Sequence, residues 1–115
     1  MRSYEIEPMG KPRMTQRDMW RKSAKKYWAW KAHIRAMRVH VPECDVHITF
    51  FISMPKSWSK KKKAERLGQP HQGKPDIDNL VKALLDAVYD DDKTVWDIRA
   101  TKRWNGAGSI VIEII

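Results

Sequence analysis

The longest regular pattern of apolar residues in this chain has the spacing of a helix. The apolar positions recur every three or four residues and are Trp20, Ala24, Tyr27, Trp30, Ile34 and Met37. Because 3.6 residues make one helical turn, these side chains share one face, and lysines and arginines occupy the remainder. Thr15 can cap the start of the helix, and Asp18 lies in its first turn. Val41 and Pro42 are expected to end it.

Alternation of apolar and polar residues predicts strands before and after this helix. Residues 4–7 form a short candidate strand, and residues 45–53 place four apolar side chains on one face. Near the end of the chain, residues 94–104 and 109–115 are predicted to be two strands of a hairpin joined at residues 105–108.

A second amphipathic helix is predicted over residues 78–89. Its buried stripe comprises Val81, Leu84, Leu85 and Val88, and Pro75 disfavours an earlier start. Residues 57–68 favour a short basic helix, but the surrounding prolines and glycines make residues 56–74 as a whole typical of a mobile basic loop. The order β-α-β-loop-α-β-β predicts a single α+β domain over residues 1–115, with two main helices packed on a small mixed sheet.

Charge is unevenly distributed along the chain. The formal net charge is +9 and the isoelectric point is near 9.9, so the chain is expected to bind a polyanion. Seven of the fourteen acidic residues nevertheless fall within residues 76–97, where they weaken such binding. A divalent metal accounts for them, because hard oxygen ligands hold Mg²⁺ and the ion reverses the local charge where a phosphate is attacked. A basic surface around an acidic metal pocket indicates a nuclease.

Two other classes of protein are disfavoured. No run of about 18 apolar residues is present, which argues against a membrane span. The first residues lack the apolar stretch of a signal peptide. Cys44 is the only cysteine, so no internal disulfide can form, and an intracellular, cytoplasmic location is expected.

The acidic stretch contains a candidate metal site. Asp76 and Asp78 stand two residues apart at the predicted helix start, where an extended backbone points both carboxylates the same way. Lys82 and Asp86 lie one and two turns further along the same face. Residues 90–92 are all aspartate and can fold back after the helix, so three carboxylates from two segments could hold Mg²⁺.

The same residues also fit ordinary structural roles. An aspartate pair before a helix is often a cap, and three aspartates after a helix are often a solvated turn. Lys82 could be an ion-pair partner of Asp78 and Asp86, four residues to either side of it.

These residues carry a family resemblance. Residues 74–87 read KPDIDNLVKALLDA and are followed by Asp91, Asp92 and a strand, and this pattern resembles the RusA family of Holliday junction resolvases. Members of that family are small proteins of bacteria and their prophages. The spaced pattern D-x-D-N-x-x-K followed by D-D makes the resemblance specific, and the order of elements agrees over essentially the whole chain.

The resemblance implies roles for individual residues. The catalytic and metal-binding carboxylates would be Asp76, Asp78 and Asp92, with Lys82 as the functional lysine and Asn79 as a supporting asparagine. Asp91 is the alternative to Asp92, because the alignment can slip by one within the run of aspartates. The resemblance also implies one or two Mg²⁺ ions per subunit, a homodimer, and paired phosphodiester hydrolysis at a four-way DNA junction in recombination and repair.

Basic residues in and around this region are the candidate DNA contacts. They are Lys56, Lys60, Lys61, Lys62, Lys63, Arg66, Lys74 and Lys82. Trp58 could insert at an opened junction or pack partly within a solvated loop. His71 is expected in the surface loop.

Two other functions are compatible with the sequence, namely a non-catalytic nucleic-acid-binding module and a nuclease without junction preference. For the homodimer, the apolar terminal strand and the tryptophans of the long helix are both candidate interfaces.

Overall fold

The computed structural model describes residues 1–13, 15 and 21–115, and these form an α+β fold. The described helices are α1 (Lys22–Ala36), α2 (Lys60–Arg66) and α3 (Ile77–Val88), and the strands are β1 (Arg2–Tyr4), β2 (Val46–Ser53), β3 (Ile98–Asn105) and β4 (Ser109–Ile114). The predicted fold class, with two main helices and a small mixed sheet, is confirmed. In the described part of the chain, no helix is both long and apolar enough to cross a membrane.

The four strands form one mixed sheet in the order β1-β4-β2-β3. β2 lies in its interior, parallel to β3 and antiparallel to β4. The predicted hairpin of the last two strands is therefore wrong, because β2 separates them. The physical reason is burial: β2 carries apolar residues on one face and a half-buried Phe51 on the other, whereas β3 alternates with exposed charges that suit an edge.

Helices α1 and α3 contact each other and share one apolar core with the sheet. The buried residues of α1 are Ala24, Tyr27, Trp30 and Ile34, which confirms the predicted apolar face over the described residues. Those of α3 are Leu80, Ala83, Leu84, Leu85 and Ala87. Trp20 and Asp18, which the sequence places at the start of the long helix, lie outside the described residues.

Two boundaries differ from the prediction, one because of strand pairing and one because of the local backbone conformation. β1 spans Arg2–Tyr4 rather than residues 4–7, since only these residues find pairing partners on β4. Helix α1 ends at Ala36 rather than near Val41, because Arg38 takes a left-handed conformation (φ 54°) that reverses the chain.

The strand predicted over residues 94–104 begins later than expected, because the residues just before β3 form a turn. The backbone N–H of Val95 donates to Asp92 O at 3.0 Å, and that of Trp96 donates to Glu43 O at 2.9 Å. These bonds form a turn that is tied to the start of β2, so the strand begins only at Ile98.

The basic segment between β2 and α3 is docked on the sheet and is not the loose loop that its prolines and glycines indicate. Its short helix α2 forms within the predicted range. The residues after it pair with the outer edge of β3, where Gly68 N–H donates to Trp104 O at 2.9 Å and His71 N–H donates to Lys102 O at 3.1 Å. This pairing covers an edge that would otherwise be open to another chain.

Candidate metal and DNA-binding site

Asp76 and Asp78 stand at the N-terminal end of α3. Asp76 is the residue that precedes the helix, with an extended backbone (φ −66°, ψ 150°), and its side chain makes no capping hydrogen bond. Asp78 lies in the first turn, and both residues are exposed. Within the described residues, neither carboxylate has an ion-pair partner. The positive end of the helix dipole favours their negative charge, so both remain available to a cation.

The segment that leads into Asp76 is held by Lys102 of β3. Its ammonium donates to Gly73 O at 2.5 Å and to Pro75 O at 2.9 Å, and the peptide bond before Pro75 is cis. Sequence reasoning missed this lysine. The sequence contained one indication of its role. Lys102 is charged but lies on the same face of its strand as Ala100 and Trp104, where an apolar residue is expected.

Asn79 fastens the N-terminal segment to the start of α3. Its amide Nδ2 donates to Lys11 O at 3.2 Å. Gly10 lies so close that a Cβ there would stand 2.6 Å from the same nitrogen. Gly10 and Asn79 line an open cleft of about 410 Å³ together with Lys74, Pro75 and Asp76. The predicted supporting asparagine thus shapes the cleft beside Asp76.

Lys82 and Asp86 do not form the ion pair that their spacing permits. Lys82 is exposed and pairs with neither Asp78 nor Asp86. Asp86 instead accepts a hydrogen bond from the Tyr27 hydroxyl at 2.6 Å and pairs with Lys31 at 3.0 Å.

The partners of Asp86 perturb two pKa values. Burial alone raises the pKa of Asp86, but the hydrogen bonds from Tyr27 and Lys31 and the charges of Lys11 and Lys31 outweigh it, so the net pKa is lowered. Burial and the Asp86 carboxylate raise the pKa of the Tyr27 hydroxyl. Asp86 is therefore an ionised link between α1 and α3, and it does not line the cleft.

The three aspartates after α3 differ in their partners. Asp90 pairs with Arg35 at 3.6 Å. Asp91 accepts a hydrogen bond from the backbone N–H of Lys93 at 3.1 Å and pairs with that lysine's ammonium at 3.6 Å. The Asp92 carboxylate forms no hydrogen bond or ion pair with another described residue, although its backbone carbonyl closes the turn to Val95. Of the two alternative ligands, Asp92 is the one whose carboxylate has no partner in the described part of the chain.

Helix α3 separates the predicted ligands. Twelve residues at 1.5 Å each make it about 18 Å long, with Asp76 at one end and Asp92 beyond the other. The far end is anchored by the Tyr89 hydroxyl, which donates to Val41 O, and by the bond from Trp96 to Glu43. The predicted folding back of Asp92 toward the helix start is not seen.

The donor set suits a hard cation, but one chain does not assemble it. Asp76, Asp78 and Asp92 offer the carboxylate oxygens that Mg²⁺ prefers. Over residues 1–13, 15 and 21–115, however, no group of three or more His, Cys, Asp or Glu side chains lies close enough to hold a metal ion.

The predicted DNA contacts lie on the surface. All eight basic residues are exposed except Lys63, which is half-buried. Lys74 lines the cleft beside Asp76, and four of the lysines lie in α2. His71 is buried rather than exposed as expected, because its ring packs against Trp104 with the ring centroids 4.4 Å apart.

Comparison with known proteins agrees with the sequence motif. A family model described as endodeoxyribonuclease RusA matches residues 5–115 of the 115-residue chain. Searches of curated proteins and of solved structures found no match.

Proposed function

Because the chain belongs to the RusA family of endodeoxyribonucleases, we propose that it is a Mg²⁺-dependent enzyme that resolves four-way DNA junctions in the bacterial cytoplasm during recombination and repair. The observation that carries this proposal is a pair of exposed carboxylates, Asp76 in the wall of an open cleft and Asp78 two residues on, neither of which has an ion-pair partner among the described residues. The chain has a net charge of +9, and two negative groups weaken its attraction for DNA. Carboxylate oxygens are, however, ligands that Mg²⁺ prefers.

The residues at the cleft and at the start of α3 have roles that follow from their positions. Asp76 and Asp78 would hold Mg²⁺, which when bound supplies a water of lowered pKa and neutralises charge on the leaving 3′-oxygen. Lys82 is exposed one helical turn beyond Asp78, where its ammonium can bind a non-bridging phosphate oxygen. Asn79 keeps the N-terminal segment against the cleft, and Lys102 holds the backbone that presents Asp76.

The third carboxylate would come from a second copy of the chain. Asp92 lies beyond the far end of α3, too distant to join Asp76 and Asp78 of its own chain. A two-fold homodimer with antiparallel α3 helices would place the partner subunit's Asp92 beside them and complete two equivalent sites. Two-fold symmetry is also the commonest closed symmetry and fits a junction that must be cut on two strands.

The interface that permits this arrangement lies on the side of α1 and α3. β1 is at one edge of the sheet and β3 at the other, and α3 contacts α1 and β3. A dimer through the exposed Ile114 and Ile115 beside β1 would keep the two α3 helices apart. The half-exposed Trp28 of α1 is instead close to the end of α3, because Arg35 beside it donates to Ala87 O at 2.9 Å.

The reaction class is tested by incubating the protein with a synthetic four-way junction and with a linear duplex of the same sequence, with and without Mg²⁺. Symmetric cuts in the junction alone, dependent on Mg²⁺ and absent in Asp76→Asn, are expected. Equal cutting of the duplex would indicate a nuclease without junction preference. Binding without any cutting would indicate a non-catalytic module.

The shared site is tested by mixing two inactive variants, Asp76→Asn and Asp92→Asn, after joint refolding. If each site takes residues from both subunits, a mixed dimer has one site with both defects and one intact site, so junction nicking returns. If each site lies within one chain, both sites of the mixed dimer carry a defect and nicking stays absent. Each variant refolded alone is the matched control.

A further inference from the structure

A second concave surface, next to the acidic cleft, has walls made of two tryptophan rings. The indoles of Trp58 and Trp104 lie 4.8 Å apart between centroids at an interplanar angle of 58°. With Lys62, Arg66 and the segment around Gln72, they line a pocket of about 280 Å³. None of the roles proposed above for the acidic cleft involves this pocket.

The pocket is built by the docking of the basic segment on β3. Trp104 belongs to β3, and its backbone bonds to both Gly68 and Gln69 hold the segment against it. His71 is buried behind Trp104, with its ring nearly edge-on to the indole at 60°. This backing keeps the Trp104 ring in one orientation, so the wall is formed before any ligand arrives.

The rim of the pocket is cationic. The ammonium of Lys62 lies 4.3 Å from the centroid of the Trp58 ring, and Arg66 follows one turn later on α2. The ligand this combination suits is planar and aromatic and carries negative charge beside its ring, because indoles stack on flat rings and the two cations attract anions.

The pocket opens close to the proposed metal ligands. Gly73 lines it and precedes Asp76 by three residues, which span at most about 11 Å even when fully extended. Lys102 ties both Gly73 and Pro75 to β3, so the spacing between pocket and carboxylates is held by the sheet.

We propose that this pocket receives one unpaired nucleobase from the branch point of the DNA junction, stacked on Trp58 and Trp104, with the Lys62 ammonium moving from the Trp58 ring to a flanking phosphate. This proposal rests on the proposed function. A cavity of about 150 Å³ is enough for benzene, so about 280 Å³ admits a base of one or two rings. A base within a duplex cannot reach the pocket without unpairing and unstacking, whereas a base at the branch point meets the smallest cost. Lys62 and Arg66 then bind the phosphates on either side of it.

This inference reverses the expected role of Trp58. The sequence suggested that the indole inserts into an opened junction, but Trp58 is half-buried, packed on Trp104 and covered by Lys62. The protein therefore provides the cavity and the DNA provides the inserted ring. Captured in this way, the base would select junctions over duplexes and set the position of the cut relative to the branch.

Photocrosslinking tests the proposal directly. A four-way junction carries 5-iodouracil at the branch point, and two controls carry it in the middle of an arm and in a linear duplex. The complexes are formed without Mg²⁺, irradiated and mapped by mass spectrometry. Crosslinks to Trp58 or Trp104 from the branch-point label alone are expected. Crosslinks to other residues, or equal yields from the mid-arm label, would overturn the proposal.

Variants of Trp58 provide the second test. Base stacking predicts that Trp58→Ala weakens junction binding about tenfold in the absence of Mg²⁺, whereas Trp58→Phe, which keeps a stacking ring, stays within about threefold of wild type. Trp96→Ala removes a more exposed indole at the other end of the sheet and serves as the matched control. Equal affinity of wild type and Trp58→Ala, with circular dichroism showing both folded, would contradict the pocket.

Failure of this proposal and failure of the proposed function are distinguishable, because both binding measurements omit the metal. If the protein crosslinks to the branch-point base but never cuts the junction, the pocket proposal is supported and the proposed nuclease function is contradicted. If the protein cuts junctions but gives no such crosslink, the nuclease function is supported and the pocket proposal is contradicted.

Discussion

At the scale of single residues, the aspartates of the acidic stretch differ in their hydrogen-bond and ion-pair partners, although they are the same residue type in the sequence. Asp86, Asp90 and Asp91 each have a described partner. The carboxylates of Asp76 and Asp92 form no hydrogen bond or ion pair with the residues that the structure describes. A carboxylate that is paired with a lysine or arginine is already partly neutralised, so the carboxylates without such a partner are the better candidates for metal ligands.

The first prediction concerns the adjacent Asp91 and Asp92. Asp92→Asn is expected to lower the junction cleavage rate at least about 100-fold, because a metal ligand loses its charge. Asp91→Asn is its matched control and is expected to stay within about threefold of wild type, since Asp91 serves the turn at Lys93. Single-turnover cleavage at saturating enzyme measures both. The reverse order of effects would assign the ligand role to Asp91.

A second prediction concerns Lys102, the residue that sequence reasoning missed. Lys102→Met leaves the carbonyls of Gly73 and Pro75 without their donor, so the approach to Asp76 loses its support. Cleavage is expected to fall about 10- to 100-fold, as for other residues that orient metal ligands, with junction affinity nearly unchanged. Arg99→Met, an exposed site on the same strand, is the control. A parallel loss in both variants would mean that only charge matters.

At the scale of elements, a few polar contacts determine how the helices and the basic segment sit on the sheet. Asp86 joins α3 to α1 through Tyr27 and Lys31. The segment after α2 covers the outer edge of β3, and Ser59 caps α2 by accepting a hydrogen bond from Lys62 N–H at 3.1 Å. The result is two surfaces, one acidic at the start of α3 and one basic on α2, which are joined through the segment docked on β3.

The third prediction tests the link between α1 and α3 by its pH dependence. The pKa of Asp86 is lowered below its ordinary 3.8, so its ionised form stabilises the fold above that value, and this stabilisation is lost as the pH falls through the lowered pKa. Asp86→Asn is expected to cost about 1 kcal/mol of unfolding free energy at pH 7, a modest value because a third of the side chain is exposed.

Urea unfolding at pH 7 and pH 3 measures this difference, which should shrink at the lower pH. Asp90→Asn is the control, since its fully exposed carboxylate pairs only at the surface with Arg35 and is expected to have no measurable effect. A cost of Asp86→Asn that is the same at both pH values would show that the charge of Asp86 is not what joins the helices.

The fourth prediction concerns the basic face of α2. Replacing Lys60, Lys61 and Lys63 by alanine is expected to reduce the salt dependence of junction binding by about 0.9 for each phosphate that the protein no longer neutralises, hence by about 2 to 3 in total. The cleavage rate at saturation should change little. Lys62 is kept because it covers Trp58.

The matched control removes three charges from α1 instead, at Lys22, Lys25 and Lys26, all of them exposed. Both variants have the same net charge, so a difference in salt slope reports position. Equal slopes would indicate that DNA senses only the overall charge of the protein.

At the scale of the whole molecule, the length of α3 prevents a single chain from forming the complete metal site. A rigid helix about 18 Å long cannot bring its two ends together, so no local adjustment within a protomer unites Asp76 with Asp92. The proposed homodimer resolves this, and it also relates the two cuts by the same symmetry as the junction.

The fifth prediction places the dimer interface. Trp28→Glu puts a charge on the proposed α1 side and is expected to weaken dimerisation at least about tenfold and to lower cleavage with it. Ile114→Glu, at the end of β4 on the β1 side of the sheet, is expected to leave the dimer intact. Sedimentation equilibrium distinguishes the dimer from a monomer of 13.6 kDa. Dissociation by Ile114→Glu alone would place the interface at the terminal strand.

The sequence by itself determined those features that depend on near neighbours. The apolar faces of α1 and α3 were predictable because helical periodicity is a local property, and β2 was predictable from its alternation. The motif around Asp76 was recognisable because its residues are close together in the chain, at the start of a single helix. The α+β class and the family followed from these elements and their order.

Only the tertiary structure decided features that depend on residues far apart in the chain. The insertion of β2 between β3 and β4 could not be predicted, because strand order depends on which pairing buries the most apolar surface. Lys102 and Trp104 acquired their roles only when the basic segment docked on β3. The separation of Asp76 from Asp92 likewise depends on where the end of α3 is anchored, and that anchor is Val41, 48 residues from Tyr89.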